Sequence, residues 1–187
     1  MKRVVVGLSG ATGVIYGIRL LEVLRQKGSI ETHLVISNPA RDTICLETDY
    51  SVAQVEALAT RTYDIADLAA AISSGSFRTV GMAVVPCSIK TLSAIANSFN
   101  DNLLVRAADV TLKERRRLIL VPRETPLHLG HLRLMQQVVE MGAILLPPMP
   151  AFYTRPATVD DIVNHTVARL LDLLDIEHQG LAQRWGE

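Results

Sequence analysis

Three short stretches of this chain hold residue types that could bind an anion or a flavin. The first is Gly7-Leu-Ser-Gly10-Ala11-Thr12-Gly13. Its glycines allow positive φ and let a ligand approach backbone N–H groups, and a helix starting there points its positive end at an anion. The spacing is G-x-x-G-x-x-G rather than the G-x-G-x-x-G of dinucleotide folds. The next apolar run ends in Ser37, where a nicotinamide site would place Asp or Glu for the ribose. NAD is therefore disfavoured. A phosphate-bearing mononucleotide and a ligand-free tight turn both remain open.

The second stretch is Pro86-Cys87-Ser88-Ile89-Lys90-Thr91. Two hydroxyls and an ammonium at a helix start suit a phosphate or the edge of a flavin ring, and equally an ordinary serine cap beside a solvated lysine. Cys87 reads as a small buried residue, since no base lies near it in sequence. The third signal is a set of cations with one aromatic residue: Arg106, Lys113, Arg123, Arg169 and Tyr153. Arg106 and Lys113 are two helical turns apart and share a face, with Asp109 between them. Arg123-Glu124-Thr125-Pro126 follows an apolar run, where ligands collect in open α/β sheets. Each cation taken singly fits a solvated surface charge; their joint placement favours a site. His128 and His131 share no face with a carboxylate, so a metal site is rejected. Pro147-Pro-Met-Pro150 predicts a rigid loop presenting Phe152 and Tyr153.

The elements that position these residues follow a strand–turn–helix rhythm. Buried strands are predicted at Arg3–Leu8, Glu31–Ile36, Thr79–Val85, Arg117–Val121 and Ala143–Leu146. Helices are predicted at Ile15–Lys27, Pro39–Leu46, Val52–Ala59, Asp67–Ser73, Lys90–Ser98, Leu103–Arg115, Leu129–Met141 and Val159–Leu174. Five strands alternating with helices predict a doubly wound, Rossmann-like parallel sheet in three α/β/α layers, with one domain spanning 1–187. Each candidate stretch then lies just beyond a strand's carboxyl end.

Composition narrows the function classes. Lys plus Arg and Asp plus Glu are 19 each, giving zero formal charge, which argues against nucleic acid as a partner. Hydrophobic residues are 49% and mean hydropathy is +0.25, which excludes a disordered chain. The longest charge-free run, Val4–Ile18, is interrupted by four glycines and falls short of the ~20 apolar residues of a spanning helix. A leader peptide is not expected either, because those glycines break the apolar run. Two cysteines make no disulfide framework, so a cytoplasmic protein is expected. The apolar surplus is aliphatic, which points to buried strands and subunit interfaces.

Gly10-Ala-Thr-Gly13, Pro86-Cys-Ser-Ile-Lys-Thr91, Arg106-Ala-Ala-Asp109, Leu112-Lys-Glu-Arg-Arg116, Arg123-Glu-Thr-Pro126 and Pro150-Ala-Phe-Tyr153 together resemble the UbiX flavin prenyltransferase family, earlier described as phenylacrylic or 3-octaprenyl-4-hydroxybenzoate decarboxylases. The resemblance runs nearly end to end. Thr12 stands where many members have Ser, keeping the hydroxyl. The resemblance implies metal-independent transfer of a dimethylallyl group from dimethylallyl monophosphate to reduced FMN, giving the prenylated FMN used by UbiD-type decarboxylases. It implies FMN contacts at Gly10, Ala11, Thr12, Ser37, Ser88, Ile89, Lys90, Thr91 and Arg123, and prenyl-phosphate contacts at Tyr153 and Arg169. Lys113, Arg106 and Glu124 would stand alongside, with Glu47 and Trp185 as further catalytic members. It also implies a homododecamer with its sites at subunit contacts. The rival readings are an FMN-binding subunit and an FMN-dependent decarboxylase without prenyl transfer. The FMN-dependent cysteine decarboxylases share a Pro-x-Ser strand-end loop but offer no counterpart to the Arg106–Arg116 stretch.

Overall fold

The computed structural model describes residues 1–178, 180–183 and 186. Among these residues six strands form one parallel sheet: β1 (Lys2–Leu8), β2 (Ile30–Ile36), β3 (Arg61–Tyr63), β4 (Gly81–Cys87), β5 (Arg117–Pro122) and β6 (Ile144–Leu145). Their order is β3-β2-β1-β4-β5-β6, so the chain winds outward from β1, returns to the centre at β4 and winds out the other way. Ligand crevices in such sheets open at that reversal, beyond the ends of β1 and β4.

Among the described residues seven helices flank the sheet: α1 (Val14–Lys27), α2 (Asn38–Glu47), α3 (Val52–Glu56), α4 (Ile89–Ala96), α5 (Leu103–Lys113), α6 (Leu129–Glu140) and α7 (Val159–Leu173). Alternation along the strands divides the core between two faces. Val4, Val6 and Leu8 of β1 meet Ile18, Leu21 and Leu24 of α1 and Val163, Val167 and Leu171 of α7. Val5 and Met82 turn the other way and join Leu92 of α4, Leu104 and Ala108 of α5 and Val138 of α6. The predicted three-layer α/β/α arrangement is the one observed. Gly17 lets α1 lie against the sheet, since a Cβ there would come 2.4 Å from the Val85 carbonyl oxygen. Among the described residues no helix is long and apolar enough to cross a membrane.

Three local departures from expectation have physical causes. The sheet has a sixth strand, β3, whose three residues are too few to carry a period-2 pattern. The helix expected at Asp67–Ser73 is reduced to a 3-10 turn, Ala71–Ser73. Upstream of it, Asp64 accepts the Ala66 N–H at 2.8 Å and Asp67 accepts the Ala69 N–H at 3.1 Å, turns that compete with helix. Finally, β4 continues through Pro86 to Cys87 at the cost of a register shift between Val84 and Cys87. Proline has no N–H for the ladder, but its carbonyl is taken by β1's far end, as described below.

His33 of β2 is 1% exposed. Its Nδ1 lies 2.8 Å from the Tyr63 hydroxyl and its ring meets Phe77 edge-on at 4.9 Å. Nε2 is 3.2 Å from Glu31 Oε1, an ion-pair distance without hydrogen-bond alignment. Burial pushes the imidazole below its ordinary value of 6.5, against the pull of Glu31. The unfolded chain therefore takes up this proton first, and stability falls as pH drops below about 6.5, while above that value the residue is neutral in both states. Urea unfolding from pH 7.5 to 5 should show a loss of stability that is shallower in His33→Gln. Equal slopes would assign the loss to other groups.

Candidate functional site

The site begins where β1 and β4 end. Ser9, fully buried, donates its hydroxyl to the Pro86 carbonyl at 3.0 Å and accepts the Ser88 N–H at 2.7 Å. Its own N–H also reaches Pro86 O, at 3.2 Å. On the other side, Ser37 N–H donates to Leu8 O at 2.9 Å, tying the start of α2 to the same strand end.

Around this fork several helices begin. Ser37 caps α2, its hydroxyl accepting the Ala40 N–H at 3.3 Å. Ser88 caps α4 by accepting the Thr91 N–H at 3.2 Å, and its hydroxyl donates to Thr91 Oγ1 at 3.1 Å. Asn102 caps α5 through the Val105 N–H at 3.1 Å. All three N-terminal ends border one cavity of about 150 Å³, lined by Gly10, Ser37, Ser88, Lys90 and Thr91 together with Pro39, Ala94, Asp101, Asn102, Leu104 and Val105. Aligned peptide dipoles give each such end a partial positive charge, and Lys90 adds a full one. A Cβ on Gly10 would fall 2.3 Å from Pro39 Cβ, so glycine keeps this wall of the cavity open. These features fit a phosphate-bearing flavin.

Five of the residues proposed for the flavin thus meet in one cavity. Ala11, Thr12 and Ile89 flank it in sequence, and Arg123 is joined to it by its backbone N–H on Cys87 O at 3.3 Å. Glu47 comes back from the far end of α2 to the first loop, where Oε2 accepts the N–H of Gly13 at 2.8 Å and of Val14 at 3.4 Å. The first helix start is thus capped by a carboxylate from the same chain. The Cys87 thiol is fully buried and pushed up to about 12 by desolvation, which removes it as a nucleophile at ordinary pH. Asp101 and Asn102 escaped the sequence reading, although Asn-Asp-Asn before Leu103 is a helix-start signal that could have placed them. Ser9 falls in the first strand-end loop that the sequence singles out, but its bridging role is not legible there, because nothing local marks a serine whose partners lie 77 and 79 residues away.

The remaining candidates lie elsewhere on the chain. Arg106 donates to Asp109 at 3.1 Å and to Ser73 O at 3.3 Å, on the α5 face that also carries Lys113. Lys113 pairs with Glu114 at 2.6 Å. It precedes β5 by four residues, whereas Glu124 follows that strand by two. Six strand residues, about 20 Å, separate the two positions. One chain does not bring Lys113 and Glu124 together. Tyr153 and Arg169 are associated with α7, which packs on the opposite face of the sheet from α4 and α5. Tyr153 meets His165 at 3.2 Å, and Arg169 pairs with Asp172 at 3.0 Å. Trp185 lies outside the described residues. His128 accepts the Gly130 N–H at 3.0 Å, capping α6, and its ring stacks on His131 with centroids 3.6 Å apart.

Comparison with known proteins gives the geometry a context. The family model for Flavoprotein matches residues 1–171. The flavin prenyltransferase UbiX of Escherichia coli K12 is 61% identical over 186 residues, covering 99% of this chain and 98% of that protein. UbiX of Thauera aromatica is 62% identical over 183 residues, covering 98% and 93%. Among solved structures, AnUbiX (PadA1) in complex with FMN and dimethylallyl pyrophosphate superposes with a TM-score of 0.96 at 51% identity, over 100% of this chain and 98% of that one. A dodecameric FMN-dependent UbiX-like decarboxylase from Escherichia coli O157:H7 gives 0.96 at 54% identity, over 99% and 100%. The peptidyl-cysteine decarboxylase EpiD, at 13% identity and a TM-score of 0.63, shares the fold alone.

Ser9→Ala would leave the Ser88 N–H buried without its acceptor. Thermal or urea unfolding should register a loss of about 1–3 kcal/mol. A variant as stable as the parent would show that the strand ends hold together without the hydroxyl.

Proposed function

The chain belongs to the flavoprotein family and, within it, to the UbiX flavin prenyltransferases, and on that footing we propose how its residues divide the reaction. It joins a dimethylallyl group from dimethylallyl monophosphate to reduced FMN. The product is prenylated FMN, handed to a UbiD-type decarboxylase. The carrying observation is the convergence of Gly10, Ser37, Ser88, Lys90 and Thr91 on one cavity ringed by helix starts. Gly10, Ala11, Thr12, Ser37, Ser88, Ile89, Lys90, Thr91 and Arg123 hold FMN, with hydroxyls, backbone N–H groups and helix dipoles facing its polar groups. Reduced FMN supplies the nucleophile when bound. A decarboxylase without prenyl transfer is not favoured, because the relatives at 61% and 62% identity are named prenyltransferases.

The chain's own part in the chemistry is to ionise the donor. The allylic C–O bond breaks, its electron pair leaves with the phosphate, and negative charge grows on the departing oxygen. Tyr153 and Arg169 bind that phosphate, Arg106 and Lys113 stabilise its developing charge, and Glu124 orients the cations or moves a proton to the leaving group. Tyr153 also shields the allylic carbon with its ring face, and Trp185 is proposed as a further catalytic member. Glu47 fixes the end of the loop Gly10–Gly13 by accepting from the N–H groups of Gly13 and Val14.

These groups are dispersed over one chain, so we place the complete site at contacts between copies in a homododecamer. The support is the 20 Å scale separation of Lys113 from Glu124, the exposure of Leu129, Leu132, Val139, Met149 and Phe152, and the dodecameric neighbour at 54% identity. We assign the protein to the cytoplasm as one 1–187 domain, in keeping with two unpaired cysteines, Cys45 and Cys87.

The test is single-turnover formation of prenylated flavin with FMN saturating, followed by mass spectrometry of the flavin. Lys113→Leu and Glu124→Gln should each slow it by about 30- to 1,000-fold while flavin stays bound. Co-expressing the two variants should restore activity that neither has alone, because mixed assemblies contain sites with both native groups. Parental rates in both variants, or no gain on mixing, would refute the shared site. Gly10→Val should fold and assemble without flavin. Stoichiometric FMN in that variant would refute the cavity assignment.

A further inference from the structure

Tyr153 is an odd choice for a phosphate ligand by position alone. It sits in a 3-10 turn, Phe152–Thr154, closed by Arg155 at φ +51°, and 52% of it is exposed. A short turn by itself sets no single rotamer for a tyrosine, so contacts to its hydroxyl decide where it points. One such contact comes from α7. His165 Nε2 is 3.2 Å from the Tyr153 hydroxyl, and the two rings meet edge to face, with centroids 5.9 Å apart and planes at 84°.

His165 is also placed relative to the second phosphate ligand. His165 and Arg169 are four residues apart on α7, hence on one face one turn apart. Arg169 has its own brace: Nη1 donates to Asp172 Oδ2 at 3.0 Å, and the buried His178 donates from Nε2 to Asp172 Oδ1 at 3.1 Å. One helix face therefore aims a guanidinium through Asp172 and carries an imidazole at the phenol.

We infer that His165 is a positioning residue for the phosphate donor, holding the Tyr153 hydroxyl beside Arg169 so that both address one phosphate. The inference rests on the assignment of Tyr153 and Arg169 to that phosphate. In the productive arrangement Nε2–H of His165 donates to the phenolic oxygen, leaving the phenolic O–H to donate to a phosphate oxygen. A donor received by the phenol polarises its own O–H and strengthens the outward bond. His165 touches neither donor nor flavin. It acts through Tyr153 alone.

The experiment is steady-state kinetics with reduced FMN saturating and dimethylallyl monophosphate varied, on four variants: His165→Leu, His165→Gln, Tyr153→Phe and the double variant His165→Leu/Tyr153→Phe. Flavin content and assembly size serve as controls. His165→Leu should raise KM for the donor by about three- to tenfold with kcat changed less than about twofold. His165→Gln, whose amide reaches the same phenolic oxygen, should recover most of that loss. Tyr153→Phe should raise KM at least as much, and adding His165→Leu to it should cost nothing further, since the group through which His165 acts is gone. Additive losses in the double variant, or a Gln variant as weak as Leu, would overturn the inference. A parental KM in His165→Leu beside a raised KM in Tyr153→Phe would remove His165 and leave Tyr153 in place. A parental KM in Tyr153→Phe would remove the donor-site assignment itself, and the positioning role with it.

Discussion

The hydroxyl of Ser9 holds the two halves of the sheet together at the point where they part. β1 and β4 are neighbours, yet the chain leaves them in opposite directions, and each strand end would otherwise present unpaired peptide groups. Ser9 closes that gap by donating to Pro86 O and accepting from Ser88 N. The same two bonds bring the cap of α4 beside the first loop. From this junction follow the start of α4, the position of Lys90 and Thr91, and the opening between α4 and α5. Packing reinforces it, for Gly17 allows α1 to press directly on the Val85 carbonyl next to it. Chain geometry here precedes chemistry: the crevice exists because the winding reverses, and the serine ties its two sides together.

Electrostatics then decides what the crevice accepts. The chain has equal numbers of acidic and basic residues, so its net charge does not draw an anion to it. Local sources do the sorting. α2, α4 and α5 begin at the cavity with side-chain caps, while the start of α1 is already satisfied by Glu47. Of the cationic side chains, Lys90 lines the cavity itself, whereas Arg106, Lys113 and Arg169 sit in ion pairs elsewhere on the surface. Those pairs are weak when exposed, so their members can exchange partners at little cost when phosphate arrives.

Sequence reading succeeded where the signal was local. Buried β-branched runs located β1, β2, β4 and β5 to within a residue or two, and Gly28 marked the end of α1. The loops after those strands could be singled out because the topology itself selects strand ends. It failed where the determinant was distant or small. β3 is three residues long and is recognised as a strand through its pairing with His33–Val35. The aspartates before Ala71 redirected a helical stretch into turns by bonding their own backbone. Ser9 looked like any loop serine until its partners on β4 came alongside. The seven-residue spacing suffices to put Arg106 and Lys113 on one face of α5, but the distance of that face from Glu124 depends on where β5 runs between them.

A cavity whose positive character resides largely in peptide orientation has an unusual kind of permanence. Carboxylates and imidazoles gain or lose charge as the surrounding medium shifts, but a peptide dipole has no proton to exchange. Three converging helix starts therefore attract an anion with nearly constant strength across any pH at which the protein stays folded. The capping hydroxyls of Ser37 and Ser88 are equally indifferent to acidity. Substitution can also alter the cavity's side chains one at a time without erasing its preference for anions. That preference follows from the directions in which the chain leaves the sheet, and those belong to the fold itself.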